Sequence, residues 1–460
     1  MAGSLWLAAV LTWMYAAWSW RRGALFIDSS LEMGLGGLFA ILAATFFSIY
    51  SFCFARLGRP FDAKCFAVLA LSGVLALVVR RQSLLPRPWM VWFLAFFGYS
   101  TLATALRSTR FASWQTNQDI MLFSAFGLVI YSAMFREAQG PRNVMRAILA
   151  ALFMVLAAAI TLQNFGFDIK QSLASIYLLE PLPWQLNVWT QKFHETWLLM
   201  LAWIVVCAIG RRTQSRKGRM EAGLVLLLAG IAVATGYSNT VKVAYCAAVL
   251  VFLGTLVSPL IVRSCLAVVF ACLFLLAPLL AGGAWALYTA HPIGSEAESA
   301  LRPHIERRLL VWEYSRALIF ERPWLGWGLG ACENLPGGSV PARELMPEPS
   351  ALPPHLADAF PLPGGHPHSL PLLIWIETGV VGASLAAGLL LTTLRRLRSV
   401  PARSQQGALL ALMVSYLLIF DTNFPAWEPA LQMLTYVTVG LVNAVLSPCT
   451  STTSAGSLVK

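Results

Sequence analysis

Residues 366–382 read HPHSLPLLIWIETGVVG, and the chemistry of the chain is organised around them. His368 and Ser369 stand where a long polar segment, about 289–369, meets a strongly apolar one, about 370–394. A histidine where a helix meets a water-filled loop is placed to move protons near neutral pH. Glu377 lies further along, inside the apolar run. An ionisable residue inside a membrane span marks function by default. Gly379 and Gly382 share one helix face and let another backbone approach closely.

Four further sets of residues have types suited to a site. Arg308 lies in ERRLLVWEYSRALIFERPWLGWGLG and shares a helix face with Trp312. Gly326, Gly328 and Gly330 follow as a tight irregular turn. No strand precedes it, so a dinucleotide-binding reading is poor. An arginine opening a helix at a membrane surface can clamp a phosphate bidentately, or can reach for lipid head groups. Lys242 follows Ser238, Asn239 and Thr240, residues that cap a helix start. The helix N-terminus and the lysine together would make an anion site; the alternative is a lysine snorkelling to the surface. Asp421, near Asn423, needs a cationic partner if it is buried, and Lys242 or Arg308 would serve; otherwise it is an interfacial carboxylate. Lys192, His194 and Glu195 enter a span from outside, as a binding group or as an interface anchor.

The histidines leave three readings open. His368 is a general base, or His355, His366 and His368 bind a metal with an acidic partner such as Asp358, or the histidines cap and line an interface. A GxSxG nucleophile elbow is absent, and so is the DxD motif of soluble sugar-nucleotide donors. A lipid-linked donor needs no such motif.

The elements that must position these residues are membrane helices. The chain has 460 residues, of which 58% are hydrophobic and 12% charged, with a mean hydropathy of +0.68. Soluble domains carry about 25% charge. The net charge of +12 falls in short loops between apolar runs, a pattern that sets topology and favours anionic lipid, not nucleic acid. The eight cysteines are scattered, mostly in spans, without metal-ligand spacing. Apolar runs occur near 4–20, 31–54, 65–79, 88–106, 120–135, 144–165, 194–210, 220–237, 241–260, 265–288, 370–394, 407–423 and 429–446. They predict an all-α polytopic bundle of about 12–13 transmembrane helices. Positively charged clusters at 211–219 and 395–403 belong in the cytoplasm, which puts 289–369 on the far side. The expected parts are N-terminal spans 1–288, a large periplasmic loop 289–369 with helical segments, C-terminal spans 370–446 and a flexible tail 447–460. Aromatics interleaved with glycine and proline in 323–364 favour an ordered lid or half-embedded loop over a disordered linker.

The pattern resembles the O-antigen ligase family. His368-Ser369, nine residues, then Gly379-Val-Val-Gly382 is similar to the ligase motif, and Arg308 through Gly330 is similar to the family's Arg, Trp and Gly-rich stretch. The long outer loop followed by three spans matches the family's layout. The resemblance implies a GT-C-like, inverting, metal-independent glycosyltransferase without cofactors, at the periplasmic face of the bacterial inner membrane. Its donor would be an undecaprenyl-pyrophosphate-linked glycan and its acceptor a lipid A–core sugar hydroxyl. His368 becomes the general base, Arg308 a pyrophosphate clamp and Asp421 a C-terminal acidic position. Lys192 and His194 join the substrate-binding set. Lys242 stands where the family usually has arginine, keeping the charge and losing the fork. A polymerase or O-oligosaccharyltransferase would share the donor. A flippase or exporter would show paired halves with broken helices.

Overall fold

The computed structural model describes residues 39–46, 142–165, 184–210, 215–291, 302–346, 354–362, 366–422 and 429–446, with a few short pieces besides, Tyr99 among them. The runs expected at 4–20, 31–54, 65–79, 88–106 and 120–135 lie wholly or mostly outside these residues, as do most of the loop 166–193, Asn423 and the tail. Every regular element among the described residues is helical. The main helices are α1 (Arg142–Asn164), α2 (Trp184–Ile209), α3 (Arg216–Thr235), α4 (Asn239–Val257), α5 (Pro259–Leu275), α6 (Ala277–Ala290), α7 (Arg302–Glu321), α8 (Leu370–Leu397), α9 (Arg403–Thr422) and α10 (Pro429–Leu446). Among the described residues six helices (α1–α4, α8 and α9) are long and apolar enough to cross a membrane, and α5 with α6 makes a seventh if that bent pair is one span. The chain is an all-α, multi-pass membrane protein.

The axis of the bundle is α2. A helix that is apolar on all sides has to be surrounded. Accordingly α1, α3, α4, α9 and α10 pack around α2, and Trp197 and Trp203 are fully buried. The Trp203 indole N–H donates to Ser415 Oγ at 3.2 Å, tying α2 to α9. At the end of α2 the last carbonyls lack helical partners. Ser404 Oγ donates to the Gly210 carbonyl at 2.7 Å, and Gln405 Nε2 to that of Cys207 at 3.1 Å. The first turn of α9 therefore caps the last turn of α2, and the basic residues described within 215–219 and 395–403 lie at one end of the bundle. The two helices run antiparallel with equal rise per residue. Asp421, at the end of α9, thus reaches the level at which α2 carries Lys192–Glu195.

Two apolar runs expected to be single straight helices are broken. The run 265–288 bends by 81° between α5 and α6. Pro278 opens α6 and cannot donate to the preceding turn. The Phe274 carbonyl at this bend accepts the Trp375 indole N–H at 2.6 Å. The second break lies within α8, at Gly379 (φ 62°, ψ −165°). Backbone polar groups freed at membrane depth must find partners inside the protein. Trp327 N–H donates to the Ile376 carbonyl at 2.8 Å, Gly328 N–H to that of Glu377 at 2.9 Å, and the Tyr99 hydroxyl to that of Thr378 at 2.8 Å. Val380 N–H donates to the Pro323 carbonyl at 2.8 Å. The Gly-rich turn after α7 is inserted into the break.

This insertion explains the motif glycine. A Cβ on Gly379 would lie 2.3 Å from the Trp324 carbonyl oxygen, and its φ is left-handed. Gly379→Ala is therefore expected to lower the unfolding temperature of the purified protein. At this ψ the backbone is essentially open to glycine alone, which costs another residue about 1–3 kcal/mol, and overpacking adds about 1–3 kcal/mol. The control is Gly283→Ala, whose Cβ would meet nothing within 4 Å and should not lower the unfolding temperature.

The segment between α6 and α8 is ordered where it is described. Leu310, Tyr314 and Leu318 of α7 pack with Leu335, Leu362 and Leu372 into one apolar core. The described part of this segment thus packs onto the first turns of α8.

Candidate functional site

His368 is held at the N-terminus of α8 in a left-handed backbone conformation (φ 49°), where it is the one non-glycine residue among the described residues with positive φ. A bulky residue held there is strained, and such strain clusters at functional sites. Its ring lies 5.0 Å from that of His366, edge to face at 61°. His366 is 3% exposed, and its two ring nitrogens have no hydrogen-bond partner among the described residues. Burial, with the nearby His368, pushes its pKa down to about 3. It stays neutral at physiological pH and adds no charge beside His368.

The start of α8 is anchored by Asp421. Leu370 N–H, an orphan donor of the first turn, donates to Asp421 Oδ1 at 2.8 Å. The Ser369 hydroxyl also bonds this carboxylate, and the Arg308 guanidinium is close enough for its charge to act on it. Of the two cations weighed for Asp421, the structure supplies Arg308. One turn on from Arg308, the buried Trp312 indole N–H has no partner among the described residues. Arg308, His368, Ser369 and Asp421 thus converge from α7, α8 and α9.

Lys242 belongs to a second cluster at the same end of the bundle. Ser238 caps α4 as its sequence predicts, accepting from Val241 N–H at 3.4 Å. The anion at this helix start is the protein's own. Glu195 is fully buried and accepts Tyr237 N–H at 2.7 Å and Ser238 N–H at 3.1 Å. Lys242 and Lys192 both act on its carboxylate. The open anion site expected from Ser238 to Lys242 is therefore already occupied, because an internal carboxylate meets the same dipole and charge. His194, fully buried on α2, adjoins this carboxylate in sequence.

The histidine metal set is not assembled. His355 Nε2 lies 2.8 Å from Glu306 Oε2, whose other oxygen accepts the Tyr288 hydroxyl at 2.9 Å. Asp358 pairs with Arg343. Among the described residues no three His, Cys, Asp or Glu side chains are grouped so as to hold an ion. The sequence reading also missed Asp421 as the anchor of α8, Glu195 as the partner of Lys242, and Tyr99 and Cys332 at the break. Each depends on a contact between distant segments, and only Glu195 and Asp421 carried a signal, a carboxylate at the end of an apolar run.

A family profile described as O-antigen ligase matches residues 223–387. The matched region holds Lys242, Arg308, the Gly-rich turn, His368 and the break at Gly379, and leaves out Lys192, His194 and Asp421. A Rickettsia conorii protein described as a candidate polysaccharide ligase is 25% identical over 134 residues, which is 29% of this chain and 30% of that protein. The chain thus matches less than a third of that relative's length. Residues 223–387, which carry the histidine junction and the turn threaded into its helix, are thus similar to the O-antigen ligase family.

Proposed function

We propose that the protein is an inverting membrane glycosyltransferase of the ligase type. It moves a glycan from an undecaprenyl-pyrophosphate donor to a sugar hydroxyl of lipid A–core. The observation that carries this reading is the junction at the start of α8, where strained His368 directly precedes Ser369 and Leu370, both bonded to the Asp421 carboxylate on which the Arg308 cation acts. In the reaction the acceptor oxygen attacks the anomeric carbon from the face opposite the pyrophosphate. His368 takes the hydroxyl proton, the new carbon–oxygen bond forms, and the pyrophosphate leaves with the electrons of the broken bond. Arg308 stabilises the charge gathering on that leaving group. Fixed donors of this kind contribute about 3–4 kcal/mol each.

The other candidate residues take supporting roles. Asp421 orients Arg308 and fixes the helix start that presents His368. Lys192 and Lys242, balanced by Glu195, add positive potential at the same end, with His194 beside them. This end lies opposite the basic clusters, which supports the reading that it faces the periplasm at the inner membrane. The described part of the segment before α8 packs on the first turns of that helix, and a GT-C-like architecture would leave the donor's lipid tail in the bilayer.

The test is transfer by the purified protein in lipid, with undecaprenyl-pyrophosphate glycan and a choice of acceptors. Product on lipid A–core is the expected result. Product only on a second lipid-linked glycan would make the protein a polymerase, and movement of the glycan across the bilayer without a new bond would make it a flippase. The charge stabilisation comes from arginine and lysine, so activity is expected to survive EDTA. Loss on chelation with recovery by one divalent ion would restore the metal reading.

A further inference from the structure

The break in α8 holds a buried carboxyl that this reaction does not use. Glu377 is 1% exposed and immediately precedes Thr378 and Gly379. Its side chain is hydrogen-bonded to the thiol of Cys332, also 1% exposed, in the 3-10 turn Ala331–Asn334. Burial and the neighbouring Glu377 push the Cys332 thiol up, so it stays protonated and donates. The Glu377 carbonyl meanwhile accepts Gly328 N–H at 2.9 Å, from the Gly326–Gly330 turn that leads into the 3-10 turn.

The turn is fastened equally to α7. Trp327 Nε1 donates to the Leu318 carbonyl at 2.9 Å, and the Arg322 guanidinium lies 4.2 Å above the Trp327 ring. A Cβ on Gly326 would lie 2.4 Å from the Glu377 carbonyl carbon, so the two backbones are in direct contact. Glu377 and Cys332 therefore join the two elements that carry Arg308 and His368. A helix transmits a displacement at one end to the other, and a misplacement of about 1 Å can cost about 10²-fold in rate.

We propose that Glu377 is a positioning residue for glycan transfer: with Cys332 it locks the Gly326–Gly330 turn into the α8 break and fixes the register of Arg308 against His368. This rests on the site reading above. Glu377→Ala is expected to lower kcat about 10- to 100-fold with little change in donor KM. Glu377→Gln and Cys332→Ser keep a hydrogen-bonding pair and should recover most of the rate.

The deciding experiment is a double-mutant cycle with Arg308→Ala, measured as kcat per folded protein. Because Glu377 acts through Arg308, the double variant should lose little beyond Arg308→Ala alone. Multiplicative losses, or Glu377→Gln as impaired as Glu377→Ala, would show that Glu377 only supports the fold. If Glu377→Ala does not fold, Cys332→Ala takes its place in the same cycle with the same expectation. Full activity of Arg308→Ala by itself would bring down the site reading, and this inference with it, so the two failures are distinguishable.

Discussion

Replacing Arg308 with alanine is expected to lower transfer by about 10²–10³-fold, the loss seen when one fixed donor to a developing anion is removed. The effect should fall on kcat, because charge accumulates on the pyrophosphate only as the anomeric bond breaks. Donor binding should weaken less. Arg308→Lys should recover part of the rate, since lysine keeps the charge and loses the planar fork. The Arg308–Asp421 arrangement adds a further expectation. Without the guanidinium, Asp421 keeps its bonds to Leu370 and Ser369, so the start of α8 should stay folded. Unchanged melting with lost turnover is the expected pair of results. Full activity at native expression would remove Arg308 from the site.

The second large effect belongs to His368. His368→Ala should bind donor and lose about 10²–10⁴-fold in turnover, the usual contribution of a positioned base. A general base works in its neutral form, so the rate should fall as pH drops through the imidazole pKa. His366 contributes no limb to that profile, because it is neutral down to about pH 3. His366 does affect stability with the opposite focus: its native pKa lies below the unfolded value of about 6.5. Its contribution is complete above that value and is lost as pH falls from there towards 3. The His366→Ala variant should therefore lose less turnover than His368→Ala. Equal losses at the two positions would point to a shared role.

Parts of this arrangement were legible in the residues themselves. The clusters around 211–219 and 395–403 gave the common end of the bundle, because loop charge follows topology. Ser238 announced the start of α4, because capping is a local interaction. The histidine motif located the junction. What stayed illegible depends on tertiary contact. Gly379 reads as a small residue on a continuous apolar helix, and only the inserted turn makes it a break. The bend at Pro278 had a sequence signal, but the surrounding apolar run masked it. Lys242 reads as an anion-binding cation because the carboxylate that faces it, Glu195, comes from another helix. Asp421 reads as a group in need of a cation. Its second role, holding the Leu370 N–H, appears only when α9 meets α8.

The central claim is that His368 delivers an acceptor oxygen to the side of the anomeric carbon opposite an Arg308-held pyrophosphate. The most direct measurement is the anomeric configuration of the new linkage, read by NMR on product made by the purified protein from a donor of known configuration. Inversion, with one undecaprenyl pyrophosphate released per bond formed, is the predicted result. Retention of configuration, through a covalent glycosyl–protein intermediate, would contradict it.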